Sequence, residues 1–373
     1  MTATDRPQRG ASAAPPTPER RIDLALERIG AGAAARDEAP EAPFPADAFA
    51  ALADAELLGW TSGAGSERPA AARELALVRA VAAADGSVGR IYDGHLNAIE
   101  RVAAQASAAL RERELTRFAA GELLGGVWGG DPGPGEGKPA AVIDTAAGPV
   151  LRGVKTFCSG AGGLHRALVL ARSPEGGPPL SAWVDLTDRE RARVDPSWYR
   201  SHGLRASVSH RVLFEDLPVL ELLGPPGAIS AQPWFARDAL RTAASWAGMA
   251  DSAVVSALAD LATRPATGPL EGLAAGRILA AQHTISVWLA AAATAMDDRG
   301  SELPGVALHG RVAIADACRT LLDEAARACG SRPFARGGGL DRARRDLEVF
   351  LLQHRLDPML ARAGEAALRA HRL

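Results

Sequence analysis

"LRGVKTFCSGAGGLHRALVLAR", residues 151–172, reads as one strand, a glycine hairpin and a second strand. A core strand alternates apolar residues, yet Phe157, Cys158 and Ser159 stand side by side just where the chain reverses. That break in the pattern marks a backbone that some other group touches. The plain alternative is that Phe157 is core and Ser159 opens a turn.

Runs of the same texture surround it. "LLGGVWG", "AAVIDT", "LSAWVDL" and "HRVLFEDLPVL" are short apolar runs at hairpin spacing between about 121 and 225, consistent with a small barrel or sandwich. Before them, residues 21–120 repeat leucine, valine, isoleucine and alanine three or four apart, the helical period. After Pro233 the chain is alanine-rich and helical, broken at "TRPATGPLEG", "DDRGSELPGVALHG" and "CGSRPFARGGG". Four segments between three breaks predict a four-helix bundle.

The expected fold class is therefore α+β, mainly helical. A polar, proline-containing tail (1–20) precedes an N-terminal helical domain (21–120), a central β domain (121–225) and a C-terminal helical bundle (226–373). No internal repeat of fixed period is visible.

Composition bounds the function. A formal net charge of −2 gives no general pull toward nucleic acid or anionic membrane, so neither is expected as a partner. Cys158, Cys318 and Cys329 lack the close spacing of a zinc site or redox dithiol. A reduced, cytoplasmic protein is the simplest expectation. The apolar run "ISVWLAAAATAM" (285–296) is shorter than the ~20 residues that cross a bilayer and is expected as a buried bundle helix.

The order of helices, strands and bundle, with the residues inside it, resembles the acyl-CoA dehydrogenase superfamily of flavoproteins over roughly 22–370. "GVKTFCSGAGGLHRALVLAR" is similar to that family's strand and valine-rich return. "GLRASVSHRVLFEDLPVL" resembles its arginine-serine stretch and the strand after it. "RPATG" resembles its Arg-x-x-Phe-Gly turn, with Thr267 in the phenylalanine place, and "LDRARRDLEVFLLQH" resembles its arginine-aspartate helix.

The resemblance implies FAD, or FMN, bound at this hairpin. Phe157 would flank the flavin ring, Cys158 would present its backbone, and Ser159 would reach N5. An aromatic face suits a flat apolar ring, and a short hydroxyl suits a nitrogen that gains a proton on reduction. Arg264 would contact the flavin's pyrophosphate or adenosine part across a subunit contact; the alternative is a solvated loop arginine. In "VWGGDPGPG" the family's usual loop beside the flavin pyrimidine is missing, leaving Trp128 and a glycine-rich backbone to serve. "CGSRPF" likewise replaces a glycine motif at the subunit contact. A homodimer or homotetramer is implied.

A dehydrogenase of this family needs a carboxylate base in an apolar pocket. Counting nine residues from Arg345, where many members keep a glutamate, lands on His354. Some relatives place the base at the start of the first bundle helix, where Asp238 stands; an ordinary helix-dipole partner is the alternative. "DGSVGRIYDGHLNAIE" puts Tyr92 and His95 on one helix face, in a stretch similar to one that approaches the active site in the family's flavin monooxygenases. Those relatives also use a histidine near the end of their last helix, loosely echoed by "QHRLDP". Imidazole titrates near neutrality, so His95 and His354 could move protons during oxygen activation; equally, His95 could bond a buried carbonyl and His354 could be a surface residue.

Three functions follow as expectations. The first is an FAD-dependent oxidoreductase that passes hydride from an acyl thioester or similar small molecule to flavin N5. The second is a flavin-dependent monooxygenase or oxidase on the same fold, using His95 and His354. The third is a non-catalytic member that has lost flavin.

Overall fold

The computed structural model describes residues 16–63, 69–264, 268–298, 300–353 and 355–371. Thr17 caps α1 (Pro18–Glu38) by accepting the Arg20 N–H, so the helix begins inside the segment expected as a tail; residues 1–15 lie outside the described residues. Helices α2 (Ala46–Asp54), α3 (Ala71–Ala84), α4 (Gly86–Gln105) and α5 (Ala108–Ala119) follow.

Helix α4 is the axis of this part. Asp85 caps it, accepting from the N–H groups of Ser87 and Val88, and nearly every residue from Gly86 to Val102 is buried. A helix buried all round must still place its charges in pairs. Glu100 therefore accepts from Arg241 Nη1 at 2.7 Å and from Arg237 Nε at 2.7 Å, and Asp93 accepts from Arg90 at 2.6 Å. Arg241 also donates to Glu74 and, at 3.0 Å, to Asn97, tying three helices together.

Seven strands form the middle: β1 (Gly125–Trp128), β2 (Ala141–Thr145), β3 (Gly148–Cys158), β4 (Arg166–Ala171), β5 (Leu180–Asp185), β6 (Ala192–Asp195) and β7 (His210–Leu222). Their order is β1-β4-β5-β7-β3-β2, with β6 also on β7; β1 and β4 run parallel and the other pairs antiparallel. The long β7 joins two half-sheets, pairing β5 at its end and β3 along its start. Leu168, Trp183 and Val184 fill the interior without measurable exposure.

The C-terminal part is built from α6 (Trp234–Ala262), α7 (Pro269–Asp298), α8 (Leu303–Cys329), a short α9 (Arg332–Arg336), α10 (Gly339–Leu351) and α11 (Asp357–Ala370). Gly248 permits the closest crossing: a Cβ there would stand 2.1 Å from the Arg79 carbonyl oxygen of α3. The "ISVWLAAAATAM" run belongs to a longer helix than expected. At 30 residues, α7 is long and apolar enough to cross a membrane by length and composition alone. Ile278, Ile285, Leu289 and Met296 are buried in the bundle, whereas Leu270, Leu273 and Val287 are exposed.

Candidate active site

A cavity of about 680 Å³ opens where α4, α6, α8 and α10 meet the sheet. That size is within the roughly 300–1,000 Å³ range of cofactor and substrate sites. Its sheet wall is made by the segment quoted at the outset. Against β7, Lys155 is opposite Val212 and Cys158 opposite His210, so three steps on β3 match two on β7. The extra residue is a β-bulge, and within it Phe157 takes a left-handed backbone (φ 53°), unfavourable for an aromatic residue.

The bulge turns Phe157 out of the sheet. Its ring is 58% exposed at the cavity and meets the Trp198 ring edge-on at 4.9 Å. The core reading of Phe157 is thereby excluded. Ser159 also lines the cavity, and its Oγ lies 2.8 Å from Ser209 Oγ, which lies 2.8 Å from Ser207 Oγ. Ser209 and Tyr199 line the same wall. Ser207 and Ser209 belong to the quoted arginine-serine stretch, but nothing in the sequence set them beside Ser159, fifty residues upstream of Ser209.

Two expected cofactor residues, Trp128 and Cys158, are not among the residues that line the cavity. Trp128 is a core residue whose Nε1 donates to the Ser159 carbonyl at 3.0 Å, bracing the bulge from behind. Cys158 points its side chain into the core, where burial pushes its thiol pKa up, and its carbonyl is taken by the Ala161 N–H. The cavity edge below is Gly129 and Gly130. A Cβ on Gly130 would stand 2.5 Å from the Thr156 carbonyl oxygen, so glycine is required there. Lys155 fixes this loop, donating to Asp131 at 2.7 Å and to the Gly129 carbonyl at 3.2 Å.

On the helical wall Asp238 lines the cavity. Its Oδ2 accepts from Arg101 Nε at 3.0 Å and Nη2 at 2.5 Å, while its buried Oδ1 has no hydrogen-bond partner among the described residues. Burial raises its pKa to about 6 against the pull of Arg101 and Arg241. This is a carboxyl able to hold or release a proton near neutrality, more than a helix-dipole partner.

His95 is a correction. Its Nε2–H donates to the Leu58 carbonyl at 2.7 Å, and its Nδ1 accepts the Gly125 N–H at 3.1 Å. Burial lowers its pKa to about 4. Both nitrogens are engaged by backbone away from the residues that line the cavity, so the ring is a neutral brace and not a proton carrier. Tyr92 acts beside it, donating to the Leu57 carbonyl at 2.9 Å. Arg264 also does not line the cavity: its Nη2 donates to the Ala328 carbonyl at 2.6 Å, and it pairs with Asp260 and Glu271 at 3.5 Å each. His354 and Thr267 lie outside the described residues; Leu352 and Gln353 line the cavity.

The residues present fit a flavin: an exposed aromatic wall, a fixed hydroxyl beside it, and a side-chain-free glycine edge with its backbone exposed. No family model matches the chain. It is 30% identical over 218 residues to a dibenzothiophene monooxygenase of Rhodococcus erythropolis, covering 55% of this chain and 48% of that one. A second dibenzothiophene monooxygenase, from Mycolicibacterium goodii, is 30% identical over 184 residues, 46% of this chain and 41% of that one. The chain spans less than half the length of these curated relatives.

Among solved structures it is similar to the FMN-bound TdsC of Paenibacillus sp. A11-2, with TM-score 0.80, 22% identity, and 94% and 98% of the two chains covered. TdsC has also been solved with FMN and indole. A protein of Mycobacterium abscessus titled "probable acyl CoA dehydrogenase" superposes with TM-score 0.74 at 21% identity, covering 90% and 94%. The fold is the acyl-CoA dehydrogenase-like fold that these structures share.

Proposed function

We propose that the chain is a flavin-dependent monooxygenase that takes reduced FMN from a separate reductase and oxygenates a small molecule in the cavity. The observation that carries this reading is the β3 bulge, which spends backbone strain to expose Phe157 beside the fixed Ser159 hydroxyl. The likeness to dibenzothiophene monooxygenases and to an FMN-bound structure supports it over the dehydrogenase reading.

Reduced flavin, when bound, supplies the two electrons that split O₂, one oxygen atom going to the substrate and the other to water. Phe157, backed by Trp198, would hold the ring flat, and Ser159 would hydrogen-bond its polar edge. Gly129 and Gly130 would let the pyrimidine side approach the backbone. Asp238 would hold a proton inside the cavity and release it toward the departing water. His354 is proposed as a second proton-handling residue on the sequence alone. The exposed Leu270, Leu273 and Val287 of α7 support a homo-oligomer.

One observation favours a second reading: Asp238 is a carboxyl in an apolar cavity, the type of base an acyl-thioester dehydrogenase needs. The two separate in one experiment. Protein loaded with FMN or FAD is mixed anaerobically with acyl-CoA thioesters; separately, reduced FMN, ¹⁸O₂ and indole are supplied. Oxygenation predicts ¹⁸O in the product and no bleaching by thioesters, and the reverse pair of results favours the dehydrogenase.

A further inference from the structure

The cavity that Asp238 lines also holds a charge that the oxygenase reading does not use. Arg311, on α8, is 4% exposed and lines the cavity. Its Nε and Nη2 are buried with no hydrogen-bond partner among the described residues. These two nitrogens form one edge of the guanidinium, the edge that meets a carboxylate side-on with two parallel N–H···O bonds.

The face of the group is already stacked. Its Cζ lies 5.1 Å over the Trp246 ring, which fixes its plane. The nearest carboxylate in its field, Asp93, is spent on Arg90 at 2.6 Å and Ser245 at 3.0 Å. Arg90 lines the cavity too, so two guanidiniums share one carboxylate. Burial draws the Arg311 pKa down to about 10, leaving it charged at neutral pH. A buried guanidinium with an unpaired edge is destabilising, and an anion in the cavity would satisfy it.

We infer that Arg311 anchors an oxyanion, a carboxylate or sulfonate, on a substrate whose apolar body lies along Phe350, Val349 and Phe235. The assignment of that ligand as substrate rests on the oxygenase reading; the anion site itself does not. Asp238 and Trp246 are eight residues apart on α6, so the anion would sit on the order of 12 Å from Asp238. A flavin phosphate has the same chemistry and is the rival source.

The test measures binding, by calorimetry, of indole, indole-3-carboxylate and indole-3-acetate to the full chain with and without FMN, in wild type, Arg311→Met and Arg311→Lys. Wild type should bind at least one of the acids about tenfold or more tightly than indole, as a charged hydrogen-bonded pair provides. Arg311→Met should bring that ratio near one and Arg311→Lys should keep part of it, with melting temperatures no lower than wild type. FMN and riboflavin are titrated in parallel, and their affinity ratio should not change in Arg311→Met. Loss of that ratio would assign the anion to the flavin phosphate and overturn the inference. So would wild type binding neither acid more tightly than indole. If neither flavin binds while the acid preference holds, the oxygenase reading fails and the anion site stands.

Discussion

Ser159 Oγ and Ser209 Oγ lie 2.8 Å apart, joining the bulge of one strand to the turn that leads into β7. Ser209 thereby orients the hydroxyl assigned to the flavin. Ser209→Ala should weaken FMN binding by roughly threefold to tenfold, the worth of one neutral hydrogen bond. Ser209→Thr should restore most of it. Fluorescence titration of FMN reads both, and an unchanged affinity in the alanine variant would remove Ser209 from the site.

Phe157 separates a ligand wall from a core residue. Because its ring is 58% exposed, Phe157→Ala should change the unfolding free energy of the flavin-free protein by no more than about 0.5 kcal/mol, where a core phenylalanine would cost about 3–5 kcal/mol. Urea denaturation distinguishes the two.

His95 should act on stability. Its folded pKa of about 4 lies below the ordinary 6.5, so the native state keeps the ring neutral where the unfolded chain binds a proton. That stabilisation is complete above pH 6.5 and is lost as pH falls toward 4. His95→Ala should destabilise by about 2–4 kcal/mol at pH 7 through two orphaned backbone groups, and should flatten this part of the stability profile. Flavin affinity at pH 7 should remain within a factor of about two in the folded fraction, since the ring's contacts, the Leu58 and Gly125 backbone and the Phe118 and Tyr92 rings, are not among the residues that line the cavity.

Asp238 gives the opposite slope. Its folded pKa of about 6 lies above the ordinary 3.8, so its contribution is complete below 3.8 and lost as pH rises through 6. Asp238→Asn should remove that decline, seen as a smaller fall in melting temperature between the two pH values than in wild type. The same variant should slow oxygenation by about 10²-fold or more if the carboxyl delivers the proton. Normal turnover would confine Asp238 to pairing with Arg101.

The three-part order was legible because each part has its own period: helical repeats before residue 120 and after 233, alternating strands between. The break in alternation at Phe157, Cys158 and Ser159 was legible as well, but not that it is a bulge, because the register shift exists only once β3 is paired with β7. Which way each side chain turns was not. Trp128 and Cys158 belong to the same strands as the cavity wall, but a one-residue step faces them into the core. His95 misled for a related reason: α4 is buried all round, so sharing a face with Tyr92 says nothing of which face meets the cavity. Arg311 carried no signal in an arginine-rich chain, because its lack of a partner exists only once α8 is packed against Trp246.

The most direct test is an FMN titration of wild type beside the Phe157→Ala, Ser159→Ala double variant, followed by flavin fluorescence. The predicted result is saturable one-to-one binding by wild type, weakened at least about tenfold in the double variant while its melting temperature holds. Equal affinity in the two proteins, or no binding by wild type, would contradict a flavin site at the β3 bulge.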